Sequence, residues 1–200
     1  MTIGGITVKN WPTSGMQPDE AFIKYLPFKP MPPSETSKHR RLVLTYCDGN
    51  GADLGSSGDP VVPWAIQVEL PDNEYKIYNV TRPVDEYIQW RGSALDLPFK
   101  DHTLDWVHSS HLLEDFSDWG PPLKEWDRVL KPGGHMLIAV PDHARFRAEV
   151  KRGQGDNLSH RHESYPGELT KYLHTYHVIR DTFVTDDPND YSILFIGRKP

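Results

Sequence analysis

The chain has 200 residues, of which 37% are hydrophobic and 25% charged, and a formal net charge of −6. That length suits one domain with a sizeable core, and the acidity argues against broad binding to a phosphate backbone, which needs clustered Lys and Arg. The single cysteine, Cys47, excludes an intrachain disulfide and a CxxC metal site and fits a reducing compartment. No run approaches the roughly 18 apolar residues that span a bilayer. Met1 to Gly15 lacks the charged and then apolar pattern of a signal peptide. The expected location is cytoplasmic.

Residues 1–33 read as an N-terminal strap or lid. Within them ITVKNW suggests a short strand and Pro18 to Leu26 a short helix, and Pro27, Pro30, Pro32 and Pro33 break any longer element. From Ser34 to Cys47 the pattern is helical, with Leu42, Val43, Tyr46 and Cys47 on one face. Asp48-Gly49-Asn50-Gly51 stops it, because Gly and Asn tolerate the left-handed conformation of a helix end.

The stretch GADLGSSGDPVVPWAIQVEL, Gly51 to Leu70, reads as a strand, a Gly- and Ser-rich turn and a second strand closing on Glu69. A turn poor in Cβ atoms lets backbone N–H groups approach a ligand. An acid at the tip of the neighbouring strand can accept hydrogen bonds from a ribose diol. Pro60 and Pro63 forbid a long helix between the two strands, so this connection is expected to be mostly loop.

Beyond it, Tyr75 to Val80 suggests a strand, a helical turn is expected near Asp85, and Tyr87 to Gly92 reads as a strand. Leu97-Pro98-Phe99 is an apolar plug in a loop. Leu104 to His108 is a short buried strand with Ser109, Ser110 and His111 just past its carboxyl end, and a helix is expected from His111. Leu123, Trp126, Val129 and Leu130 repeat at helical spacing behind Pro121-Pro122, which suits a first helical turn. Lys131-Pro132-Gly133-Gly134 ends that helix. His135 to Val140 has the continuous apolar character of a central parallel strand. The polar and basic segment 142–165 holds a helix over Ala144 to Lys151, and Pro166 begins another with Leu169, Tyr172, Leu173 and Tyr176 on one face. His177 to Thr182 and Tyr191 to Arg198 form a closing hairpin. Strands alternating with helices predict an α/β three-layer sandwich with its ligand over the carboxyl ends of the strands.

The run from Arg91 to Asp142 closely resembles the core of class I S-adenosylmethionine-dependent methyltransferases, more narrowly a small bacterial and viral group of the methyltransferase type 11 kind. It carries LPF, then D-W-V-H-SSHLLE, then E-W-D-RVLKPGG and VPD in that order. GADLGSSGDP is similar to the family's DLGCG turn, and the resemblance spans roughly residues 34 to 142. It implies a Rossmann-like three-layer sandwich with a mostly parallel seven-stranded sheet and a C-terminal antiparallel hairpin. Residues 34–200 would be a single methyltransferase domain, with 142–165 covering the substrate. The cofactor it implies is S-adenosyl-L-methionine. By resemblance, Asp53 lies near its methionine end, and Gly55, Ser56, Ser57 and Gly58 lend backbone contacts to the amino acid part. Glu69 takes both ribose hydroxyls. Ser93, Ala94 and Leu95 lie beside the adenine, and Ser109 and Ser110 face the cofactor. Leu97 to Phe99 and Arg128 to Leu130 read as structural. The chain departs from the family at Ser57, where a glycine is usual, at Ser93, where an Asp is usual, and in a shorter loop from Gly55 to Glu69.

Methyl transfer to a hydroxyl needs the nucleophile held in line and help in removing its proton. Histidine suits that task. His111 and His143 are the candidate bases, with Asp142 as partner. His160 and His162 are candidate substrate contacts. His160-x-His162-Glu163 has the makings of a divalent-cation pair but lacks a third spaced ligand, so no metal site is assigned. No Asn/Asp-Pro-Pro-Tyr/Phe follows the Leu104 strand, and Cys47 precedes the first core strand, which argues against amino-directed and cytosine-C5 DNA methylation. The expected acceptor is a small molecule or sugar, with no nucleic acid or membrane partner; a homodimer stays open. The leading expectation is O-methylation of a sugar, glycan or other small hydroxyl compound. A cofactor-binding but inactive scaffold is the alternative, and a nicotinamide-dependent oxidoreductase stands third.

Overall fold

The computed structural model describes residues 34–70, 88–153 and 155–200, and the backbone of two short strands, β1 (Thr2–Ile3) and β2 (Ile6–Thr7), which pair antiparallel. The helix expected at Pro18 to Leu26, the strand at Tyr75 to Val80 and the turn near Asp85 lie outside the described residues.

Helix α1 spans Glu35–Val43 and runs into a 3₁₀ turn, Leu44–Tyr46. Its N-cap is Ser34, whose hydroxyl accepts from the Ser37 N–H at 3.1 Å and so satisfies an orphan donor of the first turn. The strands are β3 (Gly51–Leu54), β4 (Ile66–Glu69), β5 (Trp90–Arg91), β6 (Leu104–Ser110), β7 (Leu130–Pro141), β8 (His177–Phe183) and β9 (Ser192–Arg198). They form one seven-stranded sheet in the order β5-β4-β3-β6-β7-β9-β8. β5, β4, β3, β6 and β7 run parallel, while β9 is antiparallel to both β7 and β8. The strand order reverses between β3 and β6, which creates the crevice where an open α/β sheet takes its ligands.

Alternation along the strands builds a core on each face. Ala52, Leu54, Val107, Met136, Ile138 and Phe195 face one way and pack with Leu123, Trp126 and Val129 of helix α2 (Gly120–Val129). Trp106, Leu137, Ala139, Leu194 and Ile196 face the other way, beneath Val43 and Cys47. Gly51 belongs to this second face: a Cβ there would stand 2.0 Å from the Trp106 indole.

Several boundaries differ from expectation. β6 continues through Ser110, so Ser109 and Ser110 lie inside the strand, paired with Ile138 and Ala139 of β7. The helix expected from His111 is a single 3₁₀ turn, Leu113–Asp115. Helix α2 ends at Val129 and the chain enters β7 at once, so Lys131 to Gly134 belong to the strand. Leu130 pairs there with Leu104 in parallel register. Helix α3 covers His143–Lys151, and α4 is short, Glu168–Tyr172, entered through Gly167 in the left-handed conformation. The connection from Gly55 to Ala65 contains no helix, as the two prolines require. It is packed rather than loose. Val61, Val62 and Ala65 are buried under α1, and Asp59 receives the Ser34 hydroxyl and the Arg40 guanidinium.

Candidate active site

A cavity of about 370 Å³ opens over the carboxyl ends of β3, β4 and β6, within the range of small-molecule and cofactor sites. One wall comes from the β3–β4 side. Gly55 takes φ +74°, which glycine adopts without a Cβ penalty. The turn then continues through Ser57, at φ +50°, and Gly58, at φ +80°. Three left-handed residues within four fold the backbone back on itself. Glu69, buried at the end of β4, accepts from the Ser57 N–H and, at 3.1 Å, from the Ser56 hydroxyl. Ser56 also reaches Gln67 at 2.7 Å. The turn is therefore braced by the acid of the neighbouring strand, and Gly55, Ser57 and Glu69 all line the cavity.

A second wall is Gly92, Ser93 and Ala94, just past β5. The Trp126 indole N–H donates to the Ala94 carbonyl at 2.9 Å and fixes this segment from α2. The third wall is the turn after β6, with His111, Leu112, Asp115 and Phe116, and Asn157 and Ser159 close the rim.

Not every expected residue reaches this space. Asp53 sits behind the turn, fully buried. Its Oδ1 meets His108 Nδ1 at 2.8 Å and its Oδ2 accepts from the Val61 N–H at 2.6 Å. His108 Nε2 in turn lies 3.0 Å from His39 Nε2, so a buried Asp53–His108–His39 chain runs from β3 to α1. Burial, then the neighbouring His108, hold His39 well below its ordinary pKa, so it is neutral. Ser56 and Gly58 shape the turn without lining the cavity, Leu95 points to solvent, and Ser109 and Ser110 are buried within β6.

The candidate bases separate. His111 lines the cavity, with φ +52°. Its Nε2 is 3.0 Å from Ser192 Oγ and 3.5 Å from Glu35, and its Nδ1 is 3.6 Å from Glu114. Burial depresses it to about 4, so it is a neutral imidazole at pH 7. His143 lies off the cavity, 3.6 Å from Glu163. Asp142 is the N-cap of α3, accepting from the Arg145 N–H at 2.9 Å, and does not pair with His143. His162 stacks on Trp119 at 4.1 Å between ring centroids and meets Glu168 at 2.7 Å. His160 packs on Phe146 and comes within 3.5 Å of Glu114. Neither lines the cavity; Asn157 and Ser159 of the same segment do.

Sequence reasoning did not single out Glu114, Asp115, His39 or His108. Glu114-Asp115 carried one signal, an acidic pair in the apolar stretch that follows a core strand. Nothing local marked His108, whose partners come from β3 and α1.

Residues 65–138 match the family of the methyltransferase domain. That match covers less than half of the chain, and the seven-stranded sheet around it has the Rossmann-like arrangement found in solved methyltransferases. In solved structures the same fold recurs in an S-adenosylmethionine-dependent methyltransferase from Thermotoga maritima, 17% identical, with TM-score 0.60 over 91% of this chain and 94% of that one. It recurs as well in an S-adenosylmethionine-dependent methyltransferase from Archaeoglobus fulgidus, 13% identical, with TM-score 0.62 over 82% and 92%. Among curated proteins, the demethylmenaquinone methyltransferase of Staphylococcus carnosus is 48% identical over 82 residues, 40% of this chain. That of Bacillus cytotoxicus is 46% identical over 46 residues, 23% of this chain. The matched segments span only 32% and 19% of those two relatives. Among the described residues, no helix is long and apolar enough to cross a membrane.

Proposed function

We infer that this domain binds S-adenosylmethionine in the cavity and methylates a hydroxyl of a sugar, glycan or other small compound. The observation that carries the reading is the cavity itself. It sits at the switch point of the sheet, with the braced Gly55–Glu69 turn on one wall and His111 on the other. The donor set suits the cofactor. A buried carboxylate at a strand tip fits a ribose diol, the turn brings Cβ-free backbone at Gly55 to the cavity wall where an amino acid can approach, and Ser93 and Ala94 line the wall that would meet a base. When bound, the cofactor supplies an activated methyl group on a sulfonium. The protein's task is to hold the acceptor in line, exclude water and receive a proton. His111 is the group on the cavity wall suited to receive it, and Ser192 and Glu35 orient its ring. The 142–165 segment, through Asn157 and Ser159, covers the acceptor.

The identity to the demethylmenaquinone methyltransferases favours a second acceptor class, an aromatic quinol, which would lie against Leu112 and Phe116.

Thermal shift tests the cofactor half. S-adenosylhomocysteine at about a hundred times its Kd should add about 2.7 kcal/mol of stability, whereas a shift with NAD and none with S-adenosylhomocysteine would overturn the reading. A labelled-methyl screen across sugar nucleotides, glycans and quinols identifies the acceptor. His111→Ala should abolish transfer while S-adenosylhomocysteine still binds, and His143→Ala should leave transfer intact.

A further inference from the structure

Among the described residues, Glu114 is the fully buried carboxyl with neither oxygen hydrogen-bonded. A buried carboxyl with nothing donating to it costs the full desolvation of its oxygens. What surrounds it are other metal-ligating groups. His160 Nε2 lies 3.5 Å from Glu114 Oε1, and His111 Nδ1 lies 3.6 Å from the same oxygen. Ligand atoms of Glu114, Asp115 and His160 all fall within 4.8 Å of one another.

We propose that Glu114, Asp115 and His160 form a binding site for one divalent metal ion at the wall of the cavity. Ligands on neighbouring vertices around an ion bonded at about 2.1 Å stand about 3 Å apart. The 3.5 Å between Glu114 and His160 needs only a small side-chain rotation to close. Two carboxylates and an imidazole, with no thiolate, suit a first-row ion such as Mn²⁺ or Zn²⁺ rather than Ca²⁺.

The fold builds the site from two distant segments and fixes both. The Arg161 and His162 N–H groups donate to the Glu114 carbonyl at 2.8 and 3.0 Å, which staples the His160 segment to the turn after β6. The Ser159 hydroxyl donates to Asp115 Oδ1 at 2.7 Å and orients that carboxylate, as an outer-shell partner does. Asp115 also lines the cavity, so positions left open on the ion face the space where an acceptor would lie. There the ion would polarise an acceptor oxygen next to His111. The site stands on this geometry whichever cofactor the cavity takes.

The test is metal uptake, which does not depend on methyl transfer. The full chain, stripped with a chelator, is titrated with Mn²⁺ followed by loss of the free-ion EPR signal, and with Zn²⁺ against a chromophoric chelator. One ion per chain is expected. Ser159→Ala should weaken it by roughly tenfold, and Asp115→Asn and His160→Ala by more, with unchanged circular dichroism. Glu114→Gln keeps the shape of the buried group. It should fold as the parent does without metal and lose the rise in Tm that the metal gives the parent. No saturable uptake up to roughly millimolar ion, where even weak protein sites fill, would overturn the proposal. So would uptake unaffected by both Asp115→Asn and His160→Ala.

Discussion

Asp53→Asn probes the buried chain behind the turn, and the structure sets its cost. Asp53 takes the His108 ring at 2.8 Å and the Val61 N–H at 2.6 Å, one on each oxygen. Asparagine keeps one acceptor. If its oxygen serves Val61, its amide must face His108 Nδ1. His108 can meet that donor by moving its proton to Nε2, and His39 can then accept at its own Nε2 by moving its proton to Nδ1, which is buried and has no partner among the described residues. The two-histidine chain thus reverses direction at the cost of one orphaned N–H, about 1–3 kcal/mol. Charge assistance is lost as well: bonds worth about 1.5–3 kcal/mol each become bonds worth about 0.5–1.5. The expected cost is about 3–4 kcal/mol. Asp53→Ala loses more. It leaves both the Val61 N–H and an imidazole N–H orphaned, at about 1–3 kcal/mol each, and opens a void, for a total of about 5–6 kcal/mol. Urea unfolding at pH 7.5, followed by tryptophan fluorescence, measures both. An Asn variant as costly as the Ala variant, or one within about 0.5 kcal/mol of the parent, the range of ordinary surface changes, would refute the reversible chain.

Three further outcomes follow from neighbouring groups. Ser57→Gly removes a Cβ from a residue at φ +50°. It should relieve about 1–2 kcal/mol of left-handed strain against about 0.4–1 lost to the freer unfolded chain, so Tm should rise slightly; a fall would show that the hydroxyl holds the turn. Glu69→Gln should weaken S-adenosylhomocysteine binding by about 1.5–3 kcal/mol, the worth of hydrogen bonds to a charged group, and calorimetric affinity equal to the parent's would remove Glu69 from the ribose role. His39 has a folded pKa depressed by burial, so below about pH 6.5 the unfolded chain takes up a proton that the folded chain refuses. Its stabilising contribution is present above that pH and is lost as pH falls, by up to about 1.4 kcal/mol per pH unit. His39→Gln should flatten urea-derived stability between pH 7.5 and 5, and an unchanged slope would contradict this.

How far the sequence could be read depends on the range of the forces involved. The His135–Val140 part of β7 was legible because a strand buried on both sides must be apolar throughout. The Gly55–Ala65 loop was legible because proline forbids a helix locally. The 3₁₀ turn at Leu113–Asp115 was not. Leu112, Leu113 and Phe116 have helical spacing, but His111 is left-handed at φ +52° and its N–H is taken by the Ala139 carbonyl of β7. A tertiary bond overrode local periodicity there. His143 beside Asp142 looked like a base and its partner because the residues are adjacent in sequence, yet Asp142 is occupied in capping its own helix.

The same contrast explains why the LPF and RVL motifs are legible in the sequence although neither lines the cavity. Arg128 of RVLKPGG donates to the Phe99 and Leu97 carbonyls at 2.8 and 3.2 Å and to Glu125 at 2.6 Å. Glu125 in turn accepts from the Leu97 N–H at 2.7 Å. The two most recognisable pieces of sequence, LPF and RVL, are thus two halves of one clamp. That clamp holds the chain leaving β5, and Trp126 on the same helix pins Ala94, a cavity residue. Such contacts join fixed residue types at fixed spacing, so they leave a pattern in the sequence. The wall formed by Asp115, Asn157 and Ser159 meets across more than 40 residues through single hydrogen bonds, such as that from Ser159 to Asp115. It leaves no pattern, although it forms one side of the cavity.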